Sequence, residues 1–346
     1  MITTLDKDFT ALNQYIKELR PSQILILVDE NTHQHCLPLL LGNLATDIPM
    51  ESIELEAGEE NKNLHTATQL WEIFSEFQVD RNALLINLGG GVITDMGGFV
   101  ASTYKRGFKF IHLPTSLLAM ADASIGGKTG IDHQFLKNIV GTFAFPEQIF
   151  VTTDFLKTLP YKELRSGFAE MLKHGLIADA SHWEELSALE TLTPEVLDGL
   201  IETSIKIKQH IVDQDFKEQN IRKTLNFGHT FGHAVESLFM SLDQPIAHGE
   251  AVAIGMIMET YLAFLEGLIP ETACNTIVKK IQHFYPYISI DPLSNTSIME
   301  WMKNDKKNKN GSIQFSLIDG IGSCTYNYKA DANNIHKAIE FYKSLA

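Results

Sequence analysis

The chain has 346 residues, 44% hydrophobic and 21% charged, with 23 glycines and 11 prolines, a balance that excludes disordered, collagenous and low-complexity polymers and suits about two domains. Its 28 basic against 43 acidic residues leave a formal charge of −15, which argues against general binding to nucleic acid or an anionic membrane, so any phosphate must be held locally. Cys36, Cys274 and Cys324 lie far apart with no Cys-x-x-Cys pair, pointing to core residues in a reducing compartment, and no apolar run approaches the roughly 18–20 residues that cross a bilayer, so the reading is cytoplasmic.

From Ser22 to about Asp154, short aliphatic runs alternate with helical spacing, the rhythm of a parallel sheet flanked by helices. Residues 24–28 predict a buried strand ending at Asp29, and residues 53–57 an alternating one followed by Gly58 and a polar loop. Leu64, Ala67, Leu70, Trp71, Phe74 and Phe77 recur at helical spacing. Residues 83–88 form another buried strand running into Gly89-Gly90-Gly91, and residues 108–113, stopped by Pro114, and 148–152 two more. Glycines at the carboxyl end of a strand let backbone N–H groups approach an anion where a helix begins. Gly89-Gly90-Gly91-Val92 stands there, but Thr94 occupies the third glycine's position of G-x-G-x-x-G, so a tight turn without a ligand fits equally. Asp95 and Gly97-Gly98 suit close helix–strand packing. Gly126-Gly127-Lys128-Thr129-Gly130 is superficially a phosphate loop, but Asp122 stands at its first glycine, which disfavours an ATPase. Lys128 and Asn138, with Arg106 as a bidentate fork, are candidates for a substrate phosphate, with solvated surface residues as the alternative.

After Leu156 the pattern becomes mainly helical. A stripe of Leu164, Phe168 and Leu172 leaves Glu170, Lys173 and His174 on the opposite face. In the helix over residues 196–212, Lys208 falls on the apolar stripe of Ile201, Ile205 and Val212, where it either snorkels or meets a buried anion. His229 and His233, four apart, lie opposite Phe227, Phe231 and Val235, and His248 opens a segment, to Gly267, that is apolar on nearly every face. Two imidazoles and one carboxylate with an open coordination position make a zinc-type catalytic site, although spacing alone does not choose the ligands. The basic run at residues 303–309 suits a solvated loop or one that closes over an acidic ligand. Ile313/Phe315/Leu317 and Cys324/Tyr326/Tyr328 alternate about Asp319-Gly320, the pattern of a small hairpin.

Five motifs, taken in order, make the chain resemble the 3-dehydroquinate synthase family of the shikimate pathway from Asp29 to Gly322: Gly89-Gly90-Gly91-Val92-Ile93-Thr94-Asp95, Pro114-Thr115-Ser116-Leu117-Leu118-Ala119, Ser124-Ile125-Gly126-Gly127-Lys128-Thr129-Gly130, Asn226-Phe227-Gly228-His229-Thr230-Phe231-Gly232-His233 and His248-Gly249-Glu250-Ala251-Val252. The resemblance implies an α/β Rossmann-like NAD-binding domain at residues 1–155, a mainly α-helical metal- and substrate-binding domain at 156–346, and a homodimer. It assigns Glu170, His229 and His248 to Zn2+ or Co2+, His233 to proton transfer and Glu218 to a second proton acceptor. NAD is expected at Asp29, Asn31, Glu59 and Lys62, at Gly90, Gly91, Val92 and Asp95, and at Thr115, Ser116, Lys137 and Thr158. Substrate is expected at Arg106, Asp122, Lys128, Asn138 and Lys173, and at Lys208, Arg222, Asn226 and Lys306, with the Arg106 side chain reaching into a second subunit's site.

The activity so implied turns a small sugar phosphate, 3-deoxy-D-arabino-heptulosonate 7-phosphate, into 3-dehydroquinate and phosphate. It runs by transient oxidation with NAD, phosphate elimination, re-reduction, ring opening and intramolecular aldol closure, with no net use of NAD. Arg106, Lys128 and Asn138 are expected on the leaving phosphate. Ser116 stands where the family often has threonine, and Asp132 where asparagine is common. Three readings compete: a metal-dependent polyol or alcohol dehydrogenase, which needs no phosphate clamp; a related cyclase making a cyclitol, which needs no carboxylate site; and a non-catalytic nucleotide-binding module.

Overall fold

The computed structural model describes residues 1–133, 136–303 and 313–346, which form two compact units, Met1–Pro160 and Tyr161–Ala346. In the first unit the chain makes β1 (Ile2–Thr4), α1 (Thr10–Leu19), β2 (Ile24–Asp29), α2 (Glu30–His35), α3 (Leu37–Asn43), β3 (Met50–Leu55) and α4 (Leu64–Glu76). It continues through β4 (Leu84–Gly89), α5 (Gly91–Thr103), β5 (Lys109–Pro114), β6 (Lys128–His133), β7 (Leu136–Phe143) and β8 (Ile149–Val151). Six strands form one parallel sheet in the order β1-β8-β5-β4-β2-β3. The central strands β2 and β4 are buried almost end to end, which is why they read as unbroken apolar runs. The edge strand β3 buries only Ile53, and its parallel pairing of Ile24 with Met50 starts the strand three residues before the alternating run at 53–57. From β3 the chain returns to the other side of β2 as β4, so the strand order reverses between them. The carboxyl ends of β2 and β4, Asp29 and Gly89, therefore flank the crevice where such sheets bind ligands.

One glycine-rich segment of this unit differs from the sequence reading. Gly126-Gly127-Lys128-Thr129-Gly130 leads into no helix; Gly126 and Gly127, at φ +109° and +63°, turn the chain into the antiparallel ribbon β6–β7, where Thr129 pairs with Thr142 and Gly130 with Gly141. The β-branched Thr129, Ile131, Ile139, Val140 and Thr142 favour that ribbon, a signal masked by the glycines among them. The ribbon lies on α5, with Ser102 Oγ 2.8 Å from Thr142 Oγ1. Gly97 does the work of the missing third glycine: a Cβ on it would stand 1.9 Å from Asn87 Oδ1 of β4.

The second unit runs α6 (Tyr161–Ala178), α7 (Ala180–Ser187), α8 (Pro194–Gln214), α9 (His229–Ser241), α10 (His248–Leu265), α11 (Glu271–Phe284), α12 (Asn295–Lys303), β9 (Phe315–Gly320), β10 (Ser323–Tyr328) and α13 (Ala332–Lys343). The hairpin β9–β10 turns at Ile321-Gly322 rather than at Asp319-Gly320, because Gly320 pairs with Ser323 and Gly322 supplies the left-handed residue at φ +83°. Cys36 and Cys274 are buried and Cys324 half-buried, none in a disulfide. Among the described residues no helix is long and apolar enough to cross a membrane.

Two histidines away from the motifs are buried as neutral imidazoles. Burial lowers His112 to about 3, and burial together with His174 lowers His182 to about 4. Asn87 Nδ2 lies 3.2 Å from His112 Nδ1, and Ser204 Oγ lies 2.8 Å from His182 Nε2. Between those values and the ordinary histidine pKa near ~6.5, the unfolded chain binds more protons than the folded one, so stability falls as pH drops through that window. A lower urea midpoint is expected at pH ~5 than at pH ~7.5, with part of the difference lost in His182→Gln; equal midpoints would contradict this.

Candidate active site

Three helices of the second unit meet through glycine. Gly249, in the first turn of α10, donates its N–H to Ser166 Oγ at 2.9 Å, and a Cβ on it would lie 2.1 Å from Ser166 O, so α10 starts against the backbone of α6. A Cβ on Gly255 would lie 1.8 Å from Gly228 O, and one on Gly232 would lie 2.9 Å from Ala251 O; α9 and α10 thus cross backbone to backbone. The glycines around His229 and His233 therefore serve this crossing. Glu259, fully buried on α10, accepts the N–H groups of Gly228 at 2.6 Å, Thr230 at 2.9 Å and Phe231 at 3.2 Å. It satisfies donors that a helix start leaves without partners, and so fixes His229 at the head of α9. Gly255→Ala is expected to cost about 3 kcal/mol, since neither backbone can yield cheaply; an unchanged denaturant midpoint would argue against a rigid crossing.

The crossings bring Glu170 of α6 to His229 and His248. Glu170 is 1% exposed, with Oε1 3.4 Å from His229 Nε2 and 3.5 Å from His248 Nε2, while Lys173, also buried, pairs with Oε2. Ligands at 2.0–2.1 Å around a tetrahedral ion stand about 3.4 Å apart, so these three atoms have the spacing of a zinc-type donor set with one position open. His229 Nδ1 donates to Phe227 O at 3.0 Å and His248 Nδ1 to Glu236 Oε2 at 3.2 Å, which turns both Nε2 atoms toward Glu170. Burial alone would raise the Glu170 carboxyl, but Lys173 and His229 hold it well below the usual range. Burial lowers His229; at His248 it is overcome by Glu236 and Glu170, which raise the imidazole to about 10. The space between these groups favours positive charge.

The two imidazoles facing Glu170 thus come from different helices, and the pair four apart on α9 is not the pair that meets it. The His233 ring lies 5.0 Å from that of His229 and 6.0 Å from that of His248. Sequence reasoning missed Glu236 and Glu259. Glu236 shares a helix face with His229 and His233 at i+7 and i+3, so its signal was present, and Glu259 stood out as a carboxylate within an apolar run.

Elsewhere in this unit, Lys208 is 6% exposed among buried Ile201, Ile205, Ile211 and Val212, which is burial rather than snorkelling. Asp215 accepts N–H groups from Gln219 at 2.9 Å, Asn220 at 2.6 Å and Arg222 at 3.1 Å, and folds the loop that carries Glu218 at φ +56°. Asn226 Nδ2 donates to Glu218 Oε1 at 2.9 Å, and the buried Arg222 donates from Nη1 to Phe216 O at 2.7 Å. Lys306 lies outside the described residues.

In the first unit, α5 begins after Gly90 with no side-chain cap and no acid in its first turn, so its leading N–H groups at Gly91 and Val92 face the switch-point crevice. Beside it, Thr115 donates its N–H to Gly89 O at 3.0 Å, and Ser116 Oγ stands 3.4 Å from where a Gly90 Cβ would be. Asp29 caps α2 by accepting the Thr32 N–H at 2.8 Å, with Asn31 in that first turn. The 3% exposed Lys62 donates to Asp95 Oδ2 at 2.7 Å and Asn138 Oδ1 at 2.6 Å, and Glu59 Oε1 lies 3.8 Å from Lys62 Nζ and 3.5 Å from Lys137 Nζ. Burial would lower Lys62, but Asp95 and Glu59 raise it above its ordinary value, so it stays charged. Asp132 accepts the Asn138 N–H at 2.6 Å within the ribbon and donates its own N–H to Lys62 O at 2.8 Å, which ties the ribbon to this cluster. Asp122 sits in the turn Ala119–Ala123, Lys128 is exposed at the head of β6, and Thr158 is exposed at the end of the short helical run Thr153–Thr158.

Arg106 is not gathered with Asn138 and Lys128. The 13 residues of α5 run about 20 Å back toward the amino ends of the strands, and Arg106 follows them, exposed, at φ +68°. Its neighbour Lys105 is pinned there by Arg81 Nε to Lys105 O at 2.9 Å and by Lys105 Nζ to Val79 O at 2.6 Å. Within one chain, α5 thus carries Arg106 away from the Lys62 cluster that holds Asn138.

Family models of the 3-dehydroquinate synthase N-terminal and C-terminal parts match residues 52–166 and 167–308. The 3-dehydroquinate synthase of Parabacteroides distasonis is 40% identical over 340 residues, covering 96% of this chain and 95% of that protein. The 2-epi-5-epi-valiolone synthase ValA of Streptomyces hygroscopicus subsp. jinggangensis 5008, with NAD+ and Zn2+ bound, superimposes with a TM-score of 0.90 at 25% identity, covering 100% of this chain and 97% of that one. A 2-deoxy-scyllo-inosose synthase complexed with carbaglucose-6-phosphate, NAD+ and Co2+ does so with a TM-score of 0.85 at 26% identity, over 98% and 95%.

Proposed function

The chain belongs to the 3-dehydroquinate synthase family, and from that premise we propose how its own residues convert 3-deoxy-D-arabino-heptulosonate 7-phosphate to 3-dehydroquinate and phosphate. The observation that carries the reading is the meeting of Glu170 Oε1, His229 Nε2 and His248 Nε2 at ligand spacing. These three hold Zn2+ or Co2+, and NAD takes the crevice bounded by Asp29, the Gly90-Gly91-Val92 turn, Thr115 and Ser116, with Asn31, Glu59, Lys62, Asp95, Lys137 and Thr158 as further contacts. When bound, the metal polarises substrate hydroxyls while NAD takes up one hydride and returns it.

The protein's part is to orient, charge and protonate. Lys173, on Glu170 Oε2, leaves Oε1 as that carboxylate's ligand atom. His233, beside the two ligand imidazoles, carries a proton on its ring nitrogen, and Glu218, steadied by Asn226 Nδ2, accepts another. Lys128 and Asn138 bind the substrate phosphate near Asp122; Lys208, Arg222 and Lys306 supply positive charge for its carboxylate and hydroxyls. The enzyme acts in the cytoplasm as a homodimer. Ile139, Phe143 and Phe145, 43%, 52% and 54% exposed on and just after β7, make an apolar strip suited to a second copy, which then delivers Arg106.

The test is to give metal-replete protein NAD and the heptulosonate phosphate, and to follow inorganic phosphate and cofactor absorbance together. Phosphate release without net NADH is expected. NADH accumulation from a simple polyol, with no phosphate, would replace this reading with a dehydrogenase, and turnover of a sugar phosphate lacking the carboxylate would point to a cyclitol-forming cyclase.

A further inference from the structure

We propose that Glu236 is a positioning residue of the metal centre: it grips His248 from behind, aims its Nε2, and strengthens that nitrogen as a donor. The inference rests on the metal reading above. Glu236 is 5% exposed on α9, and its Oε2 takes the Nδ1–H of His248, on α10, at 3.2 Å. Burying a carboxylate is costly unless it meets charge or hydrogen-bond donors, and an imidazole is the partner it meets here. The two ligand imidazoles are held differently, since His229 Nδ1 donates to the neutral carbonyl of Phe227 at 3.0 Å. A carboxylate on Nδ1 pushes more electron density toward Nε2 than a carbonyl does, so His248 becomes the stronger donor of the two.

Charge points the same way. Lys173 offsets the charge of Glu170, so Glu236 supplies the negative charge that a divalent ion would otherwise lack around it. Glu236 also lies within ligand reach of His233 and His248, yet it bonds the ring nitrogen opposite the one that faces Glu170. It therefore stands behind His248 with respect to the donor set. One helix, α9, thus brings both the ligand His229 and the group that orients the ligand on α10.

The test uses the full chain with Glu236→Gln, which keeps an acceptor oxygen, and Glu236→Leu, which keeps neither oxygen nor charge. Zn2+ affinity is measured by chelator competition, the visible absorption of the Co2+-loaded protein reports the ligand field, and far-UV circular dichroism checks the fold. Affinity is expected to fall about 10-fold in Glu236→Gln and about 100-fold in Glu236→Leu, with the Co2+ bands shifted in both. Zn2+ affinity within about threefold of the parent and an unchanged Co2+ spectrum would overturn the proposal, even if thermal stability fell. Should Glu236→Leu fail to fold, Glu236→Gln decides by the same criteria. A parent protein that binds neither ion would overturn the metal reading itself.

Discussion

His248→Ala is expected to abolish phosphate release, by about three orders of magnitude or more, with the fold retained. The substitution removes one of the three ligands proposed above, and a donor set of two does not hold a divalent ion tightly. The fold survives because His248 is the first residue of α10 and its side chain is 26% exposed. The helix start is held instead by Glu250, which takes the Ala247 N–H at 2.9 Å, and by the Gly249 contact with Ser166. Zinc per chain, circular dichroism and phosphate release, measured on one preparation, check it. Full activity with unchanged zinc content would remove His248 from the metal.

What the sequence made legible follows from how far each signal travels along the chain. Central strands buried on both faces must be apolar throughout, so residues 24–28 and 83–88 announced β2 and β4. The ribbon β6–β7 did not, because its glycines look like a ligand loop until Thr129 is seen paired with Thr142. Helical spacing set Glu170 opposite Phe168, but the partners it meets depend on how α6, α9 and α10 approach one another. That approach is governed by the space missing at Gly249, Gly255 and Gly232. Only the family resemblance preferred His248 over His233. The link from Lys62 to Asn138 joins residues 76 positions apart through the ribbon, beyond any local pattern.

Arg106→Ala is expected to lower kcat/KM for the phosphorylated substrate by about 100–1,000-fold while NAD affinity stays unchanged. A guanidinium that grips phosphate bidentately loses both bonds on truncation, and Arg106 lies a helix length from the Gly90 turn of its own chain, so NAD contacts are untouched. An equal loss in NAD binding and turnover would end the phosphate role. The same distance makes a stronger demand: if Arg106 serves a second copy, defects in different chains can compensate. Co-expressing Arg106→Ala chains with His248→Ala chains yields mixed dimers in which one site combines an intact His248 with an intact Arg106 from the other subunit, while the second site lacks both. Random pairing then restores about a quarter of the parent activity. If each Arg106 served its own chain, every site in every dimer would carry one defect and activity would not return.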